Sequence, residues 1–189
     1  MVVCACAKPA EPNPSAAILE GAAAGDLDAQ EKTLAAALSR NPGDAAALNW
    51  RGRLKIDKLD FQGALEDFNA AIQADPTFAA AWYNRGNVRV DLGLLVESLG
   101  DFKQAHTLDP SLSGAPYSAG SAKYAIGDYK GAAEAWAIAL AEEPGMRQAK
   151  LHRASALTNY GEHKEALALL NQVIAEDPQS LRAFIRRGS

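Results

Sequence analysis

Five prolines, Pro42, Pro76, Pro110, Pro144 and Pro178, recur at intervals of 34 residues. They are more than half of the nine prolines in the chain, so composition alone does not produce the pattern. Similar phrases lead into each one: Ser39-Arg40-Asn41, Gln73-Ala74-Asp75, Thr107-Leu108-Asp109, Ala141-Glu142-Glu143 and Ala175-Glu176-Asp177. Proline can stand at the start of a new helix but cannot continue an old one, so each marks a boundary between copies of one unit. A unit of this size cannot bury an apolar face alone and must stack on its neighbours.

Between successive prolines the apolar residues follow helical spacing twice, with a turn between the two runs. The turns read Gly25-Asp26, Gly93, Gly127-Asp128 and Gly161-Glu162, with Leu59-Asp60 as the variant. In the second run of each unit a small, a large and a small residue stand four and three apart, on one helix face. These trios are Ala64, Phe68 and Ala71; Ser98, Phe102 and Ala105; Ala132, Trp136 and Ala139; Ala166, Leu170 and Val173. Gln30, Leu34 and Ala37 make a degraded first copy. Gly52, Gly86 and Gly120 fall inside the first run, where glycine costs about 1 kcal/mol against alanine. Ala154 fills the same slot one unit on, so small size rather than flexibility is what the slot demands, and the large member of each trio is expected to occupy the space. The spacing predicts helices over 15–24, 28–40, 45–58, 61–74, 79–92, 95–108, 113–126, 129–142, 147–160 and 163–176, with a short last helix from about Ser180.

This pattern resembles the tetratricopeptide repeat (TPR) family. The resemblance rests on Trp82-Tyr83-Asn84-Arg85-Gly86-Asn87, Gly127-Asp128-Tyr129, Gly63-Ala64-Leu65-Glu66-Asp67-Phe68 and the periodic prolines. It implies an all-α fold, a right-handed α-solenoid of antiparallel helix pairs wound into a superhelix. Residues 1–14 are expected to be a disordered, Pro-rich tail and residues 15–189 the array, in units 11–44, 45–78, 79–112, 113–146 and 147–180 with a partial sixth helix over 181–189. The first unit departs most, with Ile18 in the small slot and Pro14 in the usual aromatic slot. Phe184-Ile185-Arg186-Arg187-Gly188 repeats the rhythm of Trp82-Tyr83-Asn84-Arg85-Gly86, and the expectation is a natural chain that continues past Ser189.

A formal charge of −4 and a pI near 5.4 speak against a nucleic-acid binder, which carries a basic stripe against phosphate. No run of 18 or more apolar residues is present, so no transmembrane segment is expected. Cys4 and Cys6 are the only cysteines. Val3-Cys4-Ala5-Cys6-Ala7 loosely resembles the end of a bacterial lipoprotein signal, and the prolines that follow suit an extended tether. A lipid anchor at Cys6 requires a start upstream of Met1. Localisation follows the same condition: periplasmic or membrane-anchored with such a signal, otherwise cytoplasmic.

The sequence holds no HExxH, no G-x-S-x-G and no phosphate-cradling glycine loop, so no enzymatic activity, metal or cofactor is expected. His106, His152 and His163 are scattered; His106 stands where sister units have Ile72, Leu140 and Ile174, which points to packing. Glu142-Glu143 reads as a solvated pair at a helix end.

The family resemblance implies that one face of every first helix lines a concave groove. Carried onto this chain, the groove takes Asn49, Trp50 and Arg53, then Tyr83, Asn84 and Asn87, then Tyr117, Ser121 and Tyr124, then His152. Aromatic rings with a polar handle, beside amides that pair with backbone of either polarity, suit a peptide. The bland alternative is that the same rings pack between helices. The cations by which co-chaperone relatives grip a chaperone tail are absent from the matching slots. The expected role is a protein–protein interaction scaffold with a protein or peptide partner. The alternatives are a lipid-anchored bacterial envelope assembly adaptor and a regulatory repeat module of a larger protein.

Overall fold

A computed structural model describes residues 27–180 together with Phe184, Arg186 and Arg187. The expected tail, Cys4 and Cys6, the helix over 15–24 and most of the partial sixth helix lie outside the described residues. Among the described residues there are nine helices and no strand, arranged in two compact units that meet at Asp75 and Pro76 in sequence.

The first unit contains α1 (Leu27–Arg40), α2 (Ala45–Asp57) and α3 (Phe61–Ala74). The second contains α4 (Ala79–Asp91), α5 (Leu95–Leu108), α6 (Gly114–Ala125), α7 (Tyr129–Glu142), α8 (Arg147–Tyr160) and α9 (His163–Glu176). Each bound lies within one residue of the helix that sequence spacing predicts. Loops of two to five residues join consecutive helices within a unit, the length that makes an antiparallel helical hairpin. In the second unit α4 pairs with α5, α6 with α7 and α8 with α9, and α5 packs on α6 and α7 on α8 to join the pairs into a stack.

The chain stops each helix locally. The second helix of every pair ends two residues before its periodic proline, at Arg40, Ala74, Leu108, Glu142 and Glu176. Asp44, Asp60 and Asp128 cap the helices that follow them, accepting from the backbone N–H of Ala47, Gly63 and Gly131. The hairpin turns pass through the left-handed region at Leu59 (φ 62°), Gly93 (φ 77°), Gly127 (φ 85°) and Gly161 (φ 95°), one residue per repeat. Leu59 carries a side chain where the other three carry none, and so pays the Cβ–carbonyl strain of that conformation.

The trios form the core. Every member is buried, with Ala64, Phe68 and Ala71 at 0% exposure and Phe102 and Trp136 at 1%. The glycine slots face the large member of their own pair. A Cβ on Gly52 would stand 2.7 Å from Phe68 Cε1, one on Gly86 2.7 Å from Phe102 Cε1, and one on Gly120 2.7 Å from Trp136 Nε1. No carbon fits at that distance, so the missing methyl is what lets each ring sit across the facing helix. At the far end of the second unit, Ala132, Trp136, Leu151, Ala154, Leu157, Leu169, Leu170 and Val173 belong to one continuous cluster.

Candidate functional site

The face expected to line a groove is carried in the second unit by α4, α6 and α8. Tyr83, Asn84 and Asn87 on α4 are all half-buried. The Tyr83 ring lies 6.1 Å from the Phe102 ring, and its hydroxyl sits against Gly114, where a Cβ would approach to 3.0 Å. On α6, Tyr117 meets His152 of α8 edge-on at 6.0 Å, and His152 lies 5.4 Å from Trp136. Tyr124 packs 5.1 Å from Tyr129 and 5.9 Å from Trp136, and its hydroxyl accepts from Asn159 Nδ2 at 2.7 Å. Ser121 is exposed between them and its hydroxyl donates to the Tyr117 carbonyl at 3.3 Å. The structure therefore brings Tyr117, Ser121, Tyr124 and His152 together across α6 and α8, with Tyr83 reaching from α4 to the first residue of α6.

In the first unit the corresponding face of α2 holds Asn49, Trp50 and Arg53. Asn49 is buried, Trp50 half-buried and Arg53 exposed, with the Arg53 guanidinium 4.7 Å above the Trp50 ring in a cation–π stack. These aromatics thus both pack against their own fold and keep part of their surface open.

Sequence spacing alone did not single out the buried acids. Asp67 is 3% exposed and Asp101 1%, and two cations hold each of them. Arg51 Nη2 reaches Asp67 Oδ1 at 2.6 Å and Lys55 Nζ reaches Asp67 Oδ2 at 2.9 Å. One repeat on, Arg85 Nη2 lies 2.7 Å from Asp101 Oδ1 and Arg89 Nη1 2.7 Å from Asp101 Oδ2. The bidentate fork of each arginine satisfies a carboxylate that burial would otherwise penalise. The hydrogen bond that Arg51 donates to Asp67 holds its guanidinium above its usual pKa, against partial burial. The signal was present in the sequence as an Arg and an Asp that each recur after 34 residues.

Other charges are also spoken for. His106 is half-buried, as its slot predicts, and its Nε2 lies 3.4 Å from Glu142 Oε1; Glu143 accepts from the Ser113 hydroxyl at 3.1 Å. The Glu142-Glu143 pair therefore links neighbouring helix pairs and does not simply meet solvent. Toward the C-terminal end Arg147 pairs with Asp177, Lys150 with Glu176 and Arg153 with Glu165. Leu95 is half-buried while Leu94 and Val96 beside it are exposed. Among the described residues no group of three His, Cys, Asp or Glu could hold a metal ion. No described helix is long and apolar enough to cross a membrane.

Family models described as "Tetratricopeptide repeat" and "TPR repeat" match residues 117–180 and 52–93, more than half of the chain between them. The chain belongs to the tetratricopeptide repeat family. Solved structures agree on the fold. YrrB, described as a TPR protein with an unusual peptide-binding site, is 20% identical with a TM-score of 0.77, over 93% of this chain and 91% of its own. MamA from Desulfovibrio magneticus RS-1 is 18% identical with a TM-score of 0.75, over 88% and 95%. PilF from Pseudomonas aeruginosa is 14% identical with a TM-score of 0.76, over 93% and 80%. Comparison with curated protein sequences gives no match. In TPR terms the first helix of each repeat is α2, α4, α6 or α8, and the candidate residues stand at equivalent positions on each of them.

Proposed function

We propose that this TPR protein is a protein–protein interaction scaffold that binds a peptide segment of its partner on the face of α4, α6 and α8. The observation that carries the reading is the row of half-buried Tyr83, Tyr117 and Tyr124 with Asn84, Asn87 and exposed Ser121 beside them. Packing of Tyr83 on Phe102 and of Tyr117 on His152 fixes the rings before any ligand arrives. A peptide then gains aromatic area without the entropy cost of ordering those side chains. The amides and the Ser121 hydroxyl supply donors and acceptors for an extended backbone, whose N–H and C=O groups must be satisfied once water leaves. Asn49, Trp50 and Arg53 serve the corresponding face of α2 in the same way. The peptide-binding site of YrrB, a neighbour in fold, supports the reading by analogy.

The test is selection of peptides from a displayed library on the intact protein, followed by titration of the winners against a Tyr83→Ala/Tyr117→Ala variant. Each aromatic anchor contributes about 2 kcal/mol where it acts as a hot spot, so loss of one weakens binding about thirtyfold and the double change should weaken it further. Far-UV circular dichroism and a cooperative melt check that the variant is folded. A folded double variant that binds the selected peptides as the parent does refutes the proposal.

A further inference from the structure

A pocket lies on a different face of α6. Residues 117, 121 and 124 point one way round that helix, whereas 116, 119 and 123 cluster roughly 130° away at 100° per residue. On that second face α5, α6 and α7 border an open pocket of about 310 Å³, near the lower limit of about 300 Å³ for small-molecule sites. Its walls are apolar: Leu99, Pro116, Ala119, Ala135 and Ile138. Lys103 and Lys123 also line it, with one acid, Glu134, and with His106, whose Nε2 faces Glu142.

The repeat explains both the apolar floor and the cations. Arg51 and Arg85 recur after a further 34 residues as Ala119, and Asp67 and Asp101 as Ala135. The third copy of the buried clamp has thus lost its acid and its arginine together. The second cation of the clamp is retained: Lys55 and Arg89, which hold Asp67 and Asp101, correspond to Lys123. Among the described residues neither Lys123 nor Lys103 makes an ion pair. The contrast with the equivalent cleft of the first unit is informative. That cleft, about 300 Å³ and lined by Arg51, Lys55 and Lys58, has its cations bound by Asp67 and Glu31.

We propose that the pocket binds a small aliphatic carboxylate, whose charged group meets Lys123 where sister repeats supply an aspartate, and whose apolar body covers Ala119, Ala135 and Ile138. With alanine at both positions there is room beside a cation that makes no ion pair among the described residues, and a carboxylate on an apolar stem supplies both the charge and the filling. A cation beside an apolar wall also favours the acid over its neutral analogue, since only the anion adds the attraction of an opposite charge to the hydrogen bond.

The test is titration of the intact protein with octanoate and with N-acetylleucine, followed by amide chemical shifts, with octanol and N-acetylleucinamide as neutral controls. Saturable shifts are expected around Ala119, Lys123 and Ala135 for at least one of the two acids, with no saturation for its neutral counterpart. Lys123→Met should weaken that acid at least tenfold. Ala119→Arg with Ala135→Asp rebuilds the clamp of the sister repeats, and should abolish binding while the melt stays cooperative. Neither acid saturating, a neutral control binding as well as its acid, or undiminished binding by Lys123→Met would each overturn the assignment. Tyr117 packs on His152 and does not line the pocket, so Tyr117→Ala should bind the acid normally while weakening peptide binding, which separates this site from the peptide face.

Discussion

Replacing Gly86 by alanine sets two effects against each other, and the structure decides which wins. Alanine is the better helix former by about 0.8–1.0 kcal/mol. At Gly86, however, the new methyl would lie 2.7 Å from Phe102 Cε1, 2.9 Å from Cδ1 and 3.1 Å from Cζ. Carbon atoms rest at about 3.5–4.0 Å, so the ring must retreat by about 0.8 Å. Phe102 is 1% exposed, and overpacking of this kind costs about 1–3 kcal/mol. The net expectation is a loss of up to about 2 kcal/mol. Gly100 provides the internal control. It lies on α5 of the same unit, and a Cβ there meets nothing within 4 Å. Gly100→Ala should therefore express the propensity alone and stabilise by about 1 kcal/mol. Urea denaturation followed by far-UV circular dichroism measures both, and the difference between the two sites isolates the contact with the ring. In a Phe102→Leu background the penalty at Gly86 should shrink, appearing as a coupling energy in the double-mutant cycle. If Gly86→Ala stabilises as Gly100→Ala does, the slot is not set by size and the packing account of the repeat is wrong.

Asp101→Ala should destabilise the second unit by about 3 kcal/mol in urea melts, because it removes the buried carboxylate that neutralises two guanidiniums whose side chains are only 13% and 24% exposed. Unchanged stability would mean that the clamp is dispensable. Leu59→Gly should stabilise the first unit by about 1 kcal/mol, since it relieves a positive φ of 62° and removes an apolar side chain that is 75% exposed. Gly127→Ala, with φ of 85° and open space around it, should cost about 1 kcal/mol for the converse reason, read as a lowered denaturation midpoint.

Helix limits and the core were legible from one dimension. The proline period, the small-large-small trios and the glycine slots all repeat every 34 residues, and in a stacked array each unit meets the same surroundings. One hydrophobic pattern therefore encodes both the helices and their contacts, and Gly86 opposite Phe102 could be named before any coordinate was available. Leu59 was visible as a departure at the turn, although its positive φ was not.

What needed three dimensions were interactions that join residues far apart in sequence without an apolar rhythm. The clamp on Asp101 spans 16 residues to Arg85 and 12 to Arg89, and Glu143 reaches Ser113 across 30. Nothing in helical periodicity distinguishes a buried aspartate from a solvated one, because its burial is compensated by partners on another helix. The same holds for the candidate faces. Sequence placed Tyr83, Tyr117 and Tyr124 on one side of their helices, but only packing shows that each ring is already held by its own fold. The pocket beside Lys123 is the clearest case: two alanines are unremarkable letters, and they become a cavity only where three helices close around the space of a missing ion pair.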